Sequence, residues 1–419
     1  MKQLNKRIGI IGAGVSGMTA GHMLRDTHEV VVYEWNDAPG GLIRCKDVDG
    51  NLFHQCGGHV FNTKNEVVRT WFENKFELDK EFIHVERNSV IAYDELRIPY
   101  PIENYLYYLP IPMQQHILSE LLHKDETIRP KNFEEFLKQQ FGDTLYEFYF
   151  KPYNQKIWRA DLSSISLEWL AGKLPNPSVA EILLSNINHT HEKSFVHSSF
   201  WYPKHGGSQF LANRLAEGLD LRYNSHIERI HQADGGGWII NNELYGAVFF
   251  CGNIKQLPSL LPLGVLTDSE VDRIRALAYH GTTTVLCEIE NNPYTWIYLP
   301  KSDYRCHRII CTGNLSPANN ATGKRTATVE FTDYTSKEEI VENLFLVPFA
   351  PKYITHVYNE YTYPIQTADT REFISHLKNK LRAYGIYLSG RFADWEYYNM
   401  DVAMSAAMKQ CEIFLSERV

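Results

Sequence analysis

The sequence predicts an α/β fold, and three observations predict it. Arg7–Ile11 is a short apolar run of the kind that forms a buried parallel strand. It leads directly into Gly12-Ala13-Gly14-Val15-Ser16-Gly17, a glycine turn that opens a helical stretch reaching about Arg25. Glu29 to Tyr33 is a second apolar run, closed by Glu34 about twenty residues past the glycines, where an acid accepts hydrogen bonds from ribose hydroxyls. Later strand-like runs are separated from these by a long, mostly helical stretch. The expected architecture is therefore a Rossmann-like dinucleotide-binding domain assembled from discontinuous segments, 1–88, 201–275 and 380–419. A helical lobe over 101–200 and a mostly antiparallel β-sheet substrate domain, 89–100 and 276–379, complete it.

Each glycine of the turn has a separate task. Gly12 permits the tight turn, Gly14 lets the backbone approach a pyrophosphate, and Gly17 lets the helix pack closely on the strand. The helix from about Val15, with Ser16 in its first turn, directs its unpaired N–H groups and its dipole at that phosphate. Asp37 to Arg44, with Gly41 and Leu42, resembles the second glycine turn of FAD-binding flavoproteins. In Phe53 to Phe61, the pair Gly57-Gly58 suits close packing beside an isoalloxazine ring, and His59 stands next to it, able to hydrogen-bond near nitrogen-5.

Asn65 to Phe76 reads as an amphipathic helix, and Val85 to Pro99 as strands around a turn at Asp94-Glu95. From Asn104 to about Ser198 the pattern is helical, with members at Met113 to His123, Phe133 to Phe141, Thr144 to Phe150, Ser166 to Lys173 and Val179 to Ser185. Ser208 to Glu217 is a further helix. The runs Leu221 to Tyr223, Ile227 to His231, Trp238 to Ile240 and Ala247 to Cys251 are expected to rejoin the first sheet. Thr282 to Glu290, Trp296 to Pro300, His307 to Thr312 and Thr326 to Phe331 alternate, and predict a second, antiparallel sheet. Leu388 to Phe392 and a helix from about Asp401 to Glu417 close the chain.

A net charge of −8 argues against a nucleic-acid binder. The seven cysteines are odd in number, scattered and without a CxxC pair, which predicts a reducing, cytoplasmic location and no disulfide framework. Cys306 and Cys311 flank His307 and Arg308, but no second pair completes a zinc site, and His189, His191 and His197 read as a polar loop. No metal is expected. The first strand begins almost at once, leaving no room for a signal peptide, and no apolar run approaches the ~20 residues of a membrane span.

Several blocks in order resemble the UDP-galactopyranose mutase family, especially its eukaryotic type. They are GAGVSG, PGGL, CGGHVF, IPYPIENYLYYLP, KPYNQKIW, FWYPKHGGSQFL, NPYTWIYLPKSDYRCHRIICTGNLSP, EYTYPIQT and GRFADWEYYNMD. The resemblance implies a flavin-dependent mutase that interconverts pyranose and furanose forms of a nucleotide sugar, UDP-galactopyranose and UDP-galactofuranose first among them. It implies reduced FAD, whose nitrogen-5 attacks the anomeric carbon as UDP leaves, with no net redox change and with NADPH or NADH as reductant.

Carried over position by position, it implies that Arg308 holds the diphosphate with its bidentate fork and that Tyr363 and Tyr397 donate phenol hydroxyls to it. Lys173, in WLAGKLP, stands where the family has a second phosphate arginine; a lysine is a point charge and not a fork. Tyr100, Glu103 and Asn104 match the uracil-side segment, Asn154 and Trp158 would face the sugar, and Trp296 and Tyr298 would line the same cleft. Arg391 matches an arginine near the FAD pyrophosphate, and Asn399, Met400 and Asp401 open a helix aimed at the flavin. With Gly12, Gly14, Ser16, Gly17, Glu34, Gly41, Leu42, Gly57, Gly58, His59 and Ile227 they complete the implied cofactor site.

Glu103 stands where the family often has an amide, and an ionised acid cannot donate to a uracil carbonyl. Base and sugar therefore stay open, a different UDP-sugar or a dTDP-sugar included. So does the oligomeric state, monomer or homo-oligomer. An FAD-dependent oxidoreductase of the amine oxidase or desaturase type shares the glycine turns, and a non-catalytic flavin- or nucleotide-binding protein is a third reading.

Overall fold

The computed structural model describes residues 6–125, 127–167, 177–189 and 198–417. Among these residues a five-stranded sheet has the order Ile386–Leu388, Ala247–Phe250, Arg7–Ile11, Glu29–Tyr33, Asp220–Arg222, with every neighbouring pair parallel. Side chains alternate between its faces, as a strand's period of two demands. Ile8, Ile10, Val30, Val32 and Phe249 pack with the helices Val15–Leu24 and Met400–Ser416. Val31, Val248 and Phe250 pack on the opposite face with the helix Thr370–Ala383. Burying each large aliphatic or aromatic side chain contributes about 1.5–3 kcal/mol. That burial on both faces holds three stretches, far apart in sequence, in one sheet.

A second sheet runs Lys352–Pro364, Tyr279–Glu288, Thr326–Thr332, Arg308–Ile310, Trp296–Tyr298, Ser89–Tyr93, Leu96–Pro99. Its pairs are antiparallel except that between Trp296–Tyr298 and Ser89–Tyr93. One face carries Val90, Val285, Ile297, Ile309 and Val329; the other carries Ile91, Ile98, Trp296, Tyr298 and Ile310 against the helical segments between residues 102 and 182. Phe133–Phe141 is a helix with the predicted bounds, capped by the Asn132 side chain accepting from the Glu135 N–H. Tyr146–Phe150 winds as one π-helical turn before Lys151–Trp158.

Two expectations need correction. The runs Ile227 to His231 and Trp238 to Ile240 do not rejoin the first sheet; His231–Gln232 and Trp238–Ile240 pair antiparallel with each other, and Glu243–Tyr245 joins them in a small sheet of their own. Local hairpin pairing wins here: each of these short runs pairs with its neighbour in sequence. The strand Lys352–Pro364 and the helix Thr370–Ala383 had no counterpart among the predicted elements. Most of the expected helix Ser166 to Lys173 lies outside the described residues. Among the described residues no helix is long and apolar enough to cross a membrane, no cluster of His, Cys, Asp and Glu could hold a metal ion, and the cysteines are free thiols.

Candidate active site

Two adjoining cavities lie where the sheets meet. The first, of about 320 Å³, opens along the ends of Arg7–Ile11 and Glu29–Tyr33. Gly12, Gly14, Ser16, Glu34, Gly41, Leu42, His59, Ile227, Arg391, Asn399 and Met400 all line it. The N-termini of Val15–Leu24 and Met400–Ser416 converge there, so two sets of unpaired N–H groups face one space. The turn behaves as its sequence implies. A Cβ on Gly17 would sit 1.9 Å from the carbonyl oxygen of Gly12, whereas a Cβ on Gly14 would meet nothing within 4 Å. Gly17 is therefore needed for helix–strand contact, and Gly14 leaves room for a ligand. Buried Glu34 accepts from the Ala13 N–H at 2.8 Å and from the Asn36 backbone and side-chain N–H groups at 2.9 and 2.7 Å, which fixes the acid at the cavity's edge. Open space at Gly14, two helix N-termini and an anchored acid together fit a pyrophosphate and its ribose.

The second cavity, of about 150 Å³, shares His59, Arg391, Asn399 and Met400 with the first and adds Gly57, Gly58, Trp296, Arg308, Glu330, Tyr363, Tyr397 and Asp401. Its floor is set by sheet register. Arg308 lies directly opposite Tyr298 on one neighbouring strand and Glu330 on the other, so the three share a face. Arg308 Nε donates to Glu330, and its Nη2 donates to the Tyr363 hydroxyl at 3.0 Å. Burial works against both charges, but each holds the other: Glu330 is kept down at about 2 by Arg308 and His307, and Arg308 is raised well above its ordinary value. Gly57, at φ +77°, passes so close that a Cβ there would lie 2.4 Å from Glu330 Oε1. Burial also pushes the Tyr363 phenol up, which keeps it a neutral donor.

His59 is pulled down to about 4 by burial, with Arg391 adding to it, so it is neutral at pH 7. Its Nε2 lies 2.7 Å from the Cys56 carbonyl, which can only accept. Nε2 therefore carries the proton, and Nδ1 is left as an acceptor. Arg391 spends its fork on carbonyls, Nε on Tyr398 and Nη1 on Thr362, both at 3.1 Å, and lies over the Tyr397 ring. Burial pushes the Cys56 thiol up to about 12, so this cavity-lining sulfur is no nucleophile.

The remaining sequence-derived residues divide. Trp296 lines the second cavity. Trp158 meets Tyr363 edge-on at 6.3 Å and reaches Tyr397 through a small neighbouring hollow. Tyr100 and Tyr298 are stacked at a tilt, 4.8 Å apart, in the adjoining aromatic cluster, and Glu103 and Asn104 are buried beside it. None of these last four lines either cavity, and neither does Asn154, whose side-chain amide donates to the Phe150 carbonyl of its own helix. Lys173 lies outside the described residues. Two charged residues of the second cavity were missed. Glu330 is a lone acid in the otherwise uncharged, fully buried strand TATVEFT, a signal that was there to be read. Arg87 donates to the hydroxyls of Ser89 at 2.7 Å and Tyr298 at 2.5 Å and lies over Trp296, a placement no local pattern announces.

Fold and cavity define a Rossmann-like dinucleotide-binding protein: residues 10–74 match the NAD(P)-binding Rossmann-like domain model. Over nearly its whole length the chain is similar to UDP-galactopyranose mutases. It is 24% identical to the UDP-galactopyranose mutase of Mycoplasma genitalium over 438 aligned positions, covering 97% of this chain and 94% of the relative. It superposes on a crystal structure of reduced UDP-galactopyranose mutase with a TM-score of 0.89 at 21% identity, covering 99% of this chain and 94% of the other. Putrescine oxidase bound to putrescine shares the fold more distantly, with a TM-score of 0.64, 15% identity and 99% of each chain covered.

Proposed function

We propose that this chain is a flavin-dependent mutase that interconverts UDP-galactopyranose and UDP-galactofuranose with reduced FAD and without net redox change. The observation that carries this reading is the junction of the two cavities. The cofactor-sized space runs at His59, Arg391, Asn399 and Met400 into a chamber holding a charged arginine and two tyrosines. The putrescine oxidase fold also has a Rossmann-like likeness to this chain, so the second chamber, and not the first, discriminates between the readings.

Reduced FAD, held by the glycine turn, Glu34 and the two helix N-termini, supplies the nucleophile, its nitrogen-5. The chain's own residues do the rest. Arg308, with one edge of its fork tied to Glu330, offers the remaining N–H groups to the diphosphate that leaves. Tyr363 and Tyr397 donate their hydroxyls to the same charge. His59 is neutral and, with Nε2–H held by the Cys56 carbonyl, accepts a hydrogen bond through Nδ1 from a neighbouring N–H or O–H at the junction, which orients that group without placing charge in the chamber. Trp296 walls the sugar, and the base side lies toward the aromatic cluster of Tyr100 and Tyr298, beside which Glu103 and Asn104 are buried. Lys173 is assigned as a second phosphate cation, and NADPH or NADH as the reductant.

The test is chromatography of UDP-galactopyranose incubated with the protein and dithionite, beside an unreduced control. A UDP-hexose product formed only under reduction is the expected result. Oxygen uptake with net oxidation of an amine or lipid, and no such product, would replace this reading with the oxidase one.

A further inference from the structure

The outer end of the first cavity carries a side chain that the proposed function leaves unused. Trp35 follows Glu34 directly, lines the cavity, and is 53% exposed. Its backbone is held in place. The Glu34 N–H donates to the Arg222 carbonyl, the Ser225 N–H to the Glu34 carbonyl, and the Asn224 N–H to the Asn36 carbonyl, each at 2.9 Å. These bonds bring the His226 ring over the indole, with centroids 3.9 Å apart and planes 41° apart. Leaving an indole half in water forgoes much of what its burial would contribute, so the folded chain alone gives Trp35 little reason to be aromatic. The same cavity end is lined by Ser225, Ile227, Gln256 and Leu260, a mainly apolar wall with polar side chains at its edge.

The acid at the end of the second strand marks where a dinucleotide's ribose lies, and the base on that ribose extends outward past the acid. The outward neighbour here is Trp35. A flat heterocycle entering between the indole and the Ile227–Leu260 wall would have an aromatic face on one side and aliphatic contact on the other.

We propose that Trp35, braced by His226, is the platform on which the adenine of the cofactor stacks, and that it gives the site its preference for a dinucleotide over a mononucleotide flavin. The proposal rests on the FAD reading of the first cavity. His226 restricts the indole before the ligand arrives, so less rotamer freedom is lost on binding. A stack of this kind recognises a π-face and needs no hydrogen-bond code.

The test uses the full-length protein purified with its flavin, and follows cofactor release on dilution through the recovery of flavin fluorescence. Trp35→Ala is expected to weaken FAD retention roughly tenfold, the scale of one lost base–aromatic stack. Trp35→Phe should restore most of it, and His226→Ala should cost about two- to threefold, the scale of the rotamer freedom it restrains. FMN, which lacks the adenine, should bind the wild type and Trp35→Ala equally. FAD release from Trp35→Ala at the wild-type rate would overturn the proposal. So would equal weakening toward FMN and FAD, since that reports general damage to the site. A wild-type protein that holds no FAD would overturn the cofactor reading together with the platform, and is thereby distinguished from failure of the platform alone.

Discussion

Tyr363 and Tyr397 lie face to face, centroids 5.3 Å apart and planes within 8°, and each is held by a different arginine. Arg308 donates to the Tyr363 hydroxyl at 3.0 Å, and the Arg391 guanidinium sits 4.6 Å from the centre of the Tyr397 ring. The result is a ladder of arginine, tyrosine, tyrosine and arginine. It runs from the floor of the second cavity to the wall shared with the first. The two phenols are thereby set by packing before any ligand enters, which lowers the ordering cost of binding a diphosphate.

Removing one hydroxyl from the ladder separates its two tasks. Tyr363→Phe keeps the stack and deletes the donor. A hydrogen bond to a charged group contributes about 1.5–3 kcal/mol, so UDP affinity should fall at least tenfold. The melting temperature should move little. Tyr397→Ala removes the stack as well, and should lower both UDP affinity and thermal stability. Calorimetric titration with UDP, beside thermal melts of each variant, checks the pair.

Glu330 is a harder position to change. Replacing it with Ala strands Arg308 as a buried, uncompensated cation, and losing one partner of such a pair costs about 3–5 kcal/mol. The acid also ties stability to pH. Its folded pKa of about 2 lies below the unfolded 4.5, so the stabilisation is complete above pH 4.5 and is lost as the pH falls from there toward 2. Glu330→Gln should remove that pH dependence while keeping the side chain's shape. Denaturant unfolding of wild type and variant, at intervals across this window, measures it.

What could be read in the chain followed from how local its cause was. The strands Arg7–Ile11 and Glu29–Tyr33, and the turn between them, announce themselves in local pattern: short apolar runs on either side, and Gly17, which answers to the Gly12 carbonyl of the same turn. Arg308 was found through its block, but its partner Glu330 is brought opposite it only by strand register. Arg87 meets Tyr298 through pairing of the sheet strands on which their neighbours lie. Lys352–Pro364 hid as a strand because, at the sheet's edge, most of its side chains are only half-buried, and His356, Asn359 and Glu360 blur its apolar alternation. The three-stranded sheet of residues 231–245 was misplaced because short apolar runs do not say which neighbour they will pair with.

Two buried histidines should make the fold sensitive to mild acid, above the range in which Glu330 acts. Burial lowers His59 to about 4 and His54 to about 3, against an ordinary 6.5. Their neutral burial is fully stabilising above pH 6.5. Below it the unfolded chain takes up protons that the folded chain refuses, so stability falls as the pH drops from 6.5 toward 4. Each site contributes a slope of up to about 1.4 kcal/mol per pH unit. Urea unfolding at pH 7 and pH 5 should show the loss, and His59→Gln should reduce the difference only in part, because burial also lowers His54, His22 and His307.

The glycine turn offers the sharpest separation of folding from binding, because two of its glycines are glycine for opposite reasons. A methyl group on Gly17 would have to occupy the space of the Gly12 carbonyl oxygen, 1.9 Å away, and backbone cannot yield as a flexible side chain can. Gly17→Ala should therefore push the helix Val15–Leu24 off its strand, at a cost of about 1–3 kcal/mol or more, and lower the melting temperature whether or not cofactor is supplied. A methyl group on Gly14 meets no protein atom within 4 Å, and its backbone φ of −75° suits any residue. Gly14→Ala should thus fold like the wild type and yet fill space the pyrophosphate needs. The expected outcome is a normal melting temperature without added FAD, flavin content well below that of the wild type, and little of the thermal gain that added FAD gives the parent. Flavin absorbance per chain together with melts at zero and saturating FAD decides it: normal flavin content in Gly14→Ala would mean that the pyrophosphate lies elsewhere in the cavity.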